Sequence, residues 1–316
     1  MRVLVTGGAG FIGSNLADAL LVAGHTTRVL DDLSSGFAEN VPSEAELIVG
    51  NVADHEVVTR AVDGVDVVFH LGAHRSVARS VEQPLTTDTA NTHGTLTILK
   101  SAADGGVRRV VYSSSSSVYG GALTMPTPEE EPTWPRSPYA VSKLAGEHYC
   151  RVFAELYGLE TASLRYFNVY GPRQRPDSAY AAVIPLFIEA LRAGQPPVVH
   201  GDGRQSRSFV YVADAVAANM AAATAPASAC AGQPYNVAGE RRIDLLEMLK
   251  LLGGIVGVEP VPVHTDPRPG DVRHTDGNWS AATKELGWAP QVTFEEGLDR
   301  TVEWFTARAN GHTPGA

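Results

Sequence analysis

The N-terminal run "MRVLVTGGAGFIGSNLADALLVAG" constrains the fold of this chain more than any other stretch. Residues 2–7 form a short apolar segment that suits a strand. Residues 14–24 carry apolar positions at helical spacing and end at Gly24. Between them stand Gly7, Gly10 and Gly13. Glycines at a strand-to-helix junction let the backbone turn tightly and approach a diphosphate. The helix that follows points free N–H groups and the positive end of its dipole at that anion. Phe11 and Ile12 fall in the same turn and are expected to share the contact. A second strand-like segment, 26–32, brings up Asp31, 18 residues beyond Gly13. A carboxylate there accepts hydrogen bonds from a ribose diol and repels a 2′-phosphate. The order strand, glycines, helix, strand, acid therefore predicts a dinucleotide site for NAD rather than NADP. Strand alternation is expected to turn Asp32 the other way.

The same alternation of segment types continues. Strand patterns recur at 46–51, 65–72, 107–114 and 161–167, with helical patterns between them and a long one at 139–157. Apolar strands alternating with helices indicate a parallel sheet covered on both faces. The fold class expected is α/β: a Rossmann-like doubly wound parallel sheet over 1–168. A smaller, mixed α/β substrate-binding lobe is expected over 169–316, with some later segments returning to the sheet. The tail, 309–316, reads as frayed. The 316 residues bear a net charge of −10, which disfavours a nucleic-acid partner. Two cysteines, Cys150 and Cys230, make neither a disulfide framework nor a metal site. No apolar run reaches the ~18 residues of a membrane helix. Glycines interrupt the N-terminal apolar stretch, against a signal peptide. The expectation is a soluble, reduced, cytoplasmic protein.

Two further stretches carry chemistry. "SPYAVSKLAGEHY" places Tyr139 and Lys143 four residues apart on one helix face. A phenol is a poor base at neutral pH; a nearby ammonium and a cationic nicotinamide favour the phenolate, which could then exchange a proton with a sugar hydroxyl. The pair alone also fits an exposed helix face with no role. "VVYSSSSSVYGG" (110–121) has the composition of a linker but opens on β-branched residues. It reads better as the end of a parallel strand, where ligands of such sheets bind. If the extended backbone persists, Ser115 and Ser117 share one side and Ser116 takes the other.

Gly7, Gly10, Gly13, Asp31, the serine stretch, "YAVSK" and "RYFNVYGPRQ" occur in the order found in the extended short-chain dehydrogenase/reductase family. Within it the chain most resembles NAD-dependent nucleotide-sugar 4-epimerases of the UDP-glucose 4-epimerase type, to about residue 305. The resemblance implies oxidation at C4 of a UDP-sugar by tightly held NAD and return of hydride to the other face. It implies that Tyr139 moves the O4 proton, that Lys143 holds the nicotinamide ribose, and that Ser115 and Ser117 are the catalytic and sugar-contacting hydroxyls. Asn51 and Val52 take the adenine side. Leu71, Gly72 and Ala73 lie beside the nicotinamide ribose and pyrophosphate, and Asn91 backs the cofactor. Ser76 and Ser116 join the substrate contacts. Asn168, Arg207 and Arg268 fall on the UDP diphosphate and Asp271 on the uridine side. A homodimer through two helices of each Rossmann lobe is also implied.

Departures from the pattern are few: Asn51 stands in the place of an Asp, Ser208 follows Arg207, and "TDG" (275–277) replaces "AD". Ser116 and Ser117 stand where sugar dehydratases of the family carry an Asp-Glu pair, which disfavours dehydration. "RQRPD" resembles UDP-glucuronate 4-epimerases, and a guanidinium at Arg175 suits a C6 carboxylate. The substrate expected is UDP-glucuronate, with UDP-galacturonate as product. UDP-glucose or UDP-N-acetylglucosamine, a UDP-glucuronate decarboxylase, and a non-catalytic NAD-binding regulator stand as alternatives.

Overall fold

A computed structural model describes residues 1–176, 182–267 and 272–309. In its first half the chain runs β1 (Arg2–Thr6), α1 (Phe11–Val22), β2 (Thr26–Asp31), β3 (Glu46–Val49), α2 (His55–Val62) and β4 (Val67–His70). Then come α3 (Val77–Glu82), α4 (Pro84–Asp88), a π-helical turn at Thr89–His93 and α5 (Gly94–Asp104). β5 (Arg109–Ser115), α6 (Pro138–Tyr157) and β6 (Glu160–Tyr166) follow. These strands, joined by a later one, β10 (Ala231–Val237), form a seven-stranded sheet in the order β10-β6-β5-β4-β1-β2-β3. Every pairing in it is parallel.

Side chains of the inner strands alternate between two buried cores, which is why those strands read as largely apolar runs. Val3, Val5, Val67, Phe69 and Val111 face one core, against Leu16 and Leu20 of α1. Ala215, Ala218 and Ala222 of α8 (Val212–Thr224) complete that side. Leu4, Leu30, Val68 and Val110 face the other, with Val58 of α2, Ile98 and Leu99 of α5, and Phe153 of α6. The strand order reverses between β1 and β4, so their carboxyl ends open a crevice there.

The second half contributes β7 (Asn168–Tyr170), α7 (Val183–Arg192), β8 (Val198–His200), β9 (Ser206–Tyr211), β11 (Arg242–Asp244) and α9 (Leu245–Val256). β12 (Val263–Thr265), β13 (His274–Thr275), α10 (Ser280–Leu286) and α11 (Phe294–Ala309) complete it. β11, β9 and β13 make a small sheet, with β7 also paired to β9. Their core is aromatic: Tyr170, Phe187, Phe209, Tyr211, Phe294 and Phe305 pack with Ile184 and Leu249. β10 leaves this half and pairs with β6 at the edge of the large sheet. The proline-rich stretch 121–138 ties the halves together. Thr127 bridges to Gly277, its N–H donating to the Asp276 carbonyl at 2.8 Å.

The long helix α6 has clear local causes. Ser137 caps it, its hydroxyl accepting the Ala140 N–H at 3.1 Å, and Pro138 fills the first position, where no N–H is needed. Gly158 ends it at φ +67°, a conformation other residues resist. No helix among the described residues is long and apolar enough to cross a membrane.

Candidate active site

The glycine loop is fixed by contact. Gly7 takes φ +70°, and a Cβ there would lie 2.8 Å from the Gly72 nitrogen. At Gly13 a Cβ would meet the Gly7 carbonyl oxygen at 2.2 Å. Only bare backbone lets β1, α1 and the end of β4 close up this far. α1 begins at Gly10 with no side chain capping its first N–H groups, which suits them to an anion. One cleft joins this loop to both ends of the crevice. It is lined by Gly7, Gly10, Phe11, Ile12 and Gly13, by Asp31, Asn51 and Val52, by Leu71, Gly72 and Ala73, and by Ser115, Tyr139 and Lys143.

At one end Asp31 is buried, and its carboxylate accepts the N–H groups of Ala9 at 3.0 Å and Leu33 at 2.9 Å. Burial raises its pKa and these two N–H groups oppose the rise. Two oxygens leave further lone pairs for a diol. Asp32 does not turn away as alternation predicts. β2 ends at Asp31, so the next residue is free of the pleat. Asp32 lines the same cleft, accepting from Asn51 Nδ2 at 3.2 Å and from the Ser34 N–H at 3.0 Å. Asn91 is buried behind the wall. It accepts the His74 N–H at 2.7 Å and donates to the His74 carbonyl at 3.1 Å and Ser142 Oγ at 3.0 Å. It thus pins the loop after β4 to α6.

At the other end, Lys143 is buried and donates to the Ser113 carbonyl at 2.7 Å. Burial lowers its pKa to about 7. Its Nζ lies 6.0 Å from the centre of the Tyr139 ring. Burial raises the Tyr139 pKa, and a hydrogen bond with Ser115 and the charge of Arg75 oppose the rise. The cation whose charge lowers the phenol pKa is therefore Arg75, where Lys143 was expected. Its signal was position: Arg75 follows the carboxyl end of β4, where ligands of parallel sheets bind.

The serine run divides differently from its expected alternation. The strand stops at Ser115, whose hydroxyl accepts the Ser117 N–H at 3.2 Å and starts a 3-10 turn at Ser116–Tyr119. The extended backbone does not persist, so alternation does not set the directions of Ser116 and Ser117. Ser113, Ser114 and Ser115 line the cleft, whereas Ser117 Oγ is buried without a hydrogen-bond partner. Ser114 donates to Glu147. Ser76 caps α3, accepting the Arg79 N–H at 3.1 Å, and does not line the cleft.

A second cavity adjoins the first at Val169 and Gln174 and runs to Phe187, Phe209 and Leu245. Asn168 and Arg207 line it. Asn168 donates to the Ser208 carbonyl at 3.0 Å; Arg207 donates to the carbonyls of Ser206 at 2.9 Å and Arg273 at 3.1 Å. Arg268 and Asp271 lie outside the described residues. Arg175 lines the first cleft with Asp31, its guanidinium 4.5 Å from the Phe37 ring centre and donating to the Ser35 carbonyl at 3.1 Å.

The donor set fits NAD: uncapped N–H groups for a diphosphate, a carboxylate for a ribose, and Tyr139 with Lys143 across the crevice. Residues 3–238 match the NAD dependent epimerase/dehydratase family. A UDP-glucose 4-epimerase of Mycolicibacterium smegmatis is 42% identical over 312 residues, covering 96% of this chain and 98% of its own. Among solved structures, UDP-glucose 4-epimerase of Thermotoga maritima with UDP-glucose superposes at TM-score 0.94 with 39% identity, covering 98% and 100% of the two chains. UDP-N-acetylglucosamine 4-epimerase of Methanobrevibacter ruminantium, in complex with UDP-N-acetylmuramic acid, does so at TM-score 0.92 with 37% identity over 97% and 98%. With this fold, this cleft and these likenesses, the chain belongs to the NAD-dependent epimerase/dehydratase family and acts as an NAD-dependent UDP-sugar 4-epimerase.

Proposed function

We propose that the chain interconverts UDP-glucose and UDP-galactose. The observation that carries this reading is the placement of Arg175. Its guanidinium stacks on Phe37, whose N–H donates to the Ala9 carbonyl, and Ala9 in turn donates to Asp31. A guanidinium engaged by Phe37 and the Ser35 carbonyl gives weaker support to an anionic sugar. The UDP-glucose 4-epimerases similar to this chain support the same choice. The uncapped start of α1 and Asp31 would hold NAD, which would supply hydride chemistry at C4. Tyr139 would accept and return the O4 proton, with Ser115 hydrogen-bonded to both phenol and sugar. Lys143 would hold the nicotinamide ribose from beneath. Arg207 and Asn168, at the second cavity, would take the UDP diphosphate.

A second reading is UDP-glucuronate, interconverted with UDP-galacturonate. Arg75 favours it, a cation lining the cleft near enough to Tyr139 and Arg175 for its charge to act on both. Turnover of the purified enzyme with UDP-galactose, UDP-N-acetylgalactosamine and UDP-galacturonate decides between them. Faster turnover of the uronate, with product mass conserved, would overturn the neutral-hexose reading.

We also propose a homodimer through α6 and the α3–α4 segment. Val141, Val152 and Leu156 fall on one stripe of α6, Leu156 being 75% exposed, beside Val81 and Leu85, the latter 83% exposed. Apolar side chains so arranged need a partner surface. Leu156→Glu should convert a dimer to a monomer in sedimentation. A wild-type monomer at micromolar concentration would refute the proposal.

A further inference from the structure

The segment that follows β7 crosses from the second half of the chain onto the cofactor cleft. The Pro172 carbonyl accepts Asn15 Nδ2 of α1 at 3.3 Å. Arg173 holds φ +70°, a conformation uncommon for a non-glycine residue, and pairs with Asp18 of α1 at 2.6 Å. Gln174 ties the segment back to its own strand, Nε2 donating to the Val169 carbonyl at 3.1 Å. These contacts fasten the segment to the flank of the helix whose N-terminus faces the diphosphate position. Arg175 then reaches to the opposite bank. It meets the loop after β2 at the Ser35 carbonyl, 3.1 Å away, with its guanidinium 4.5 Å from the Phe37 ring centre. Gly10, Asp31, Phe37 and Arg175 all line the cleft between the two banks.

We propose that Arg175 serves the cofactor: with Phe37 it closes the cleft over bound NAD and slows its release between turnovers. The chemistry suits the task. A planar guanidinium stacks on an aromatic face and keeps its N–H groups for an in-plane carbonyl. Its charge lies beside a cleft built for a dinucleotide diphosphate. An epimerase returns the hydride it removes, so NAD gains nothing by leaving after each cycle, and a latch costs no turnover. The proposal goes beyond the choice of hexose and does not depend on it.

The test measures NAD release with no sugar present. Enzyme purified with its NAD is diluted into a coupled dehydrogenase that traps free NAD as NADH, and the fluorescence rise gives the release rate. Arg175→Ala and Phe37→Leu should each raise the rate about tenfold, the scale of one partly exposed stack and one charge-assisted hydrogen bond. The double variant should be little faster than either single, because both remove the same contact. Arg175→Lys should fall between, since it keeps the charge but not the plane. Melting curves of the NAD-free variants, matching wild type, show that the cleft still folds. Release from Arg175→Ala at the wild-type rate would overturn the proposal. The same would follow if that variant kept its NAD and lost turnover of a UDP-uronate alone.

Discussion

A buried ion pair ties β6 to α6, the helix that carries Tyr139 and Lys143, and breaking it should cost both stability and turnover. Arg165 of β6 and Glu147 of α6 are 5% and 7% exposed at their side chains. They meet as a two-pronged fork, Nε to Oε1 at 2.9 Å and Nη2 to Oε2 at 2.8 Å. Arg165 Nη1 also donates to the Tyr119 hydroxyl at 2.8 Å and the Glu129 carbonyl at 2.9 Å. Glu147 accepts in addition from Ser114, next to Ser115, and stands one helical turn beyond Lys143. Arg165→Met would leave the Glu147 carboxylate buried with Ser114 as its remaining partner. Removing one member of such a pair costs about 3–5 kcal/mol. For a chain of this length the unfolding entropy is about 0.7 kcal/mol per kelvin, so the midpoint should fall by about 4–7 °C. The double variant Arg165→Met/Glu147→Leu should regain most of that loss, because no unpaired charge remains. Its turnover should still lie about ten- to a hundredfold below wild type, since neither the fork from β6 nor the Ser114 bond from β5 then holds α6. Thermal and urea unfolding of all four proteins, with the coupling energy from the cycle, are the assay. A single-variant cost under about 1 kcal/mol, or a double variant no more stable than Arg165→Met, would refute the reasoning.

Tyr139→Phe should bind NAD normally and lose about a thousandfold or more in turnover, because the proton acceptor is gone; NAD content and initial rate measured on one sample test this. Ser115→Ala should slow turnover more than Ser116→Ala, since Ser115 bonds Tyr139 and lines the cleft; the reverse order would undo the assignment. Gly13→Ala should leave the protein without NAD after purification, its Cβ falling 2.2 Å from the Gly7 carbonyl oxygen. For NAD-free protein, the folded-state pKa of Lys143, about 7, lies below its ordinary 10.5. The unfolded chain therefore binds the extra proton between those values, and stability from this group rises with pH across that window. Wild type measured against Lys143→Met should gain stability from pH 7 to 8.5, and a flat difference would sink the pKa assignment.

What the sequence disclosed and what it hid follow one physical division. Patterns enforced by the backbone were legible. A Gly-x-x-Gly-x-x-Gly turn admits little but a tight strand-to-helix junction, and the contacts at Gly7 and Gly13 bear this out. Tyr139 and Lys143, four apart on α6, share a face wherever that helix goes. Six of the seven parallel strands announced themselves because burial on both faces demands apolar runs; β10, in the looser second half, did not. Readings that carried a local rule past the end of its element failed. Asp32 lies one residue beyond β2 and Ser116 one beyond β5, and at both points the pleat has stopped. Long side chains from loops were the least legible, because where a guanidinium ends is decided by partners distant in sequence. Arg175 reads as a sugar ligand from its neighbours "RQRPD", yet its stacking partner is Phe37, in a loop on the far side of the cleft. Arg75 sits in "HRS", where no local pattern marks its reach, and still bears on the catalytic phenol. A single sequence shows neither pairing, since no periodicity links position 175 to 37 or position 75 to 139. In this fold the cofactor cradle is therefore written in backbone pattern, while the features that sort one sugar from another rest on such long-range side-chain meetings.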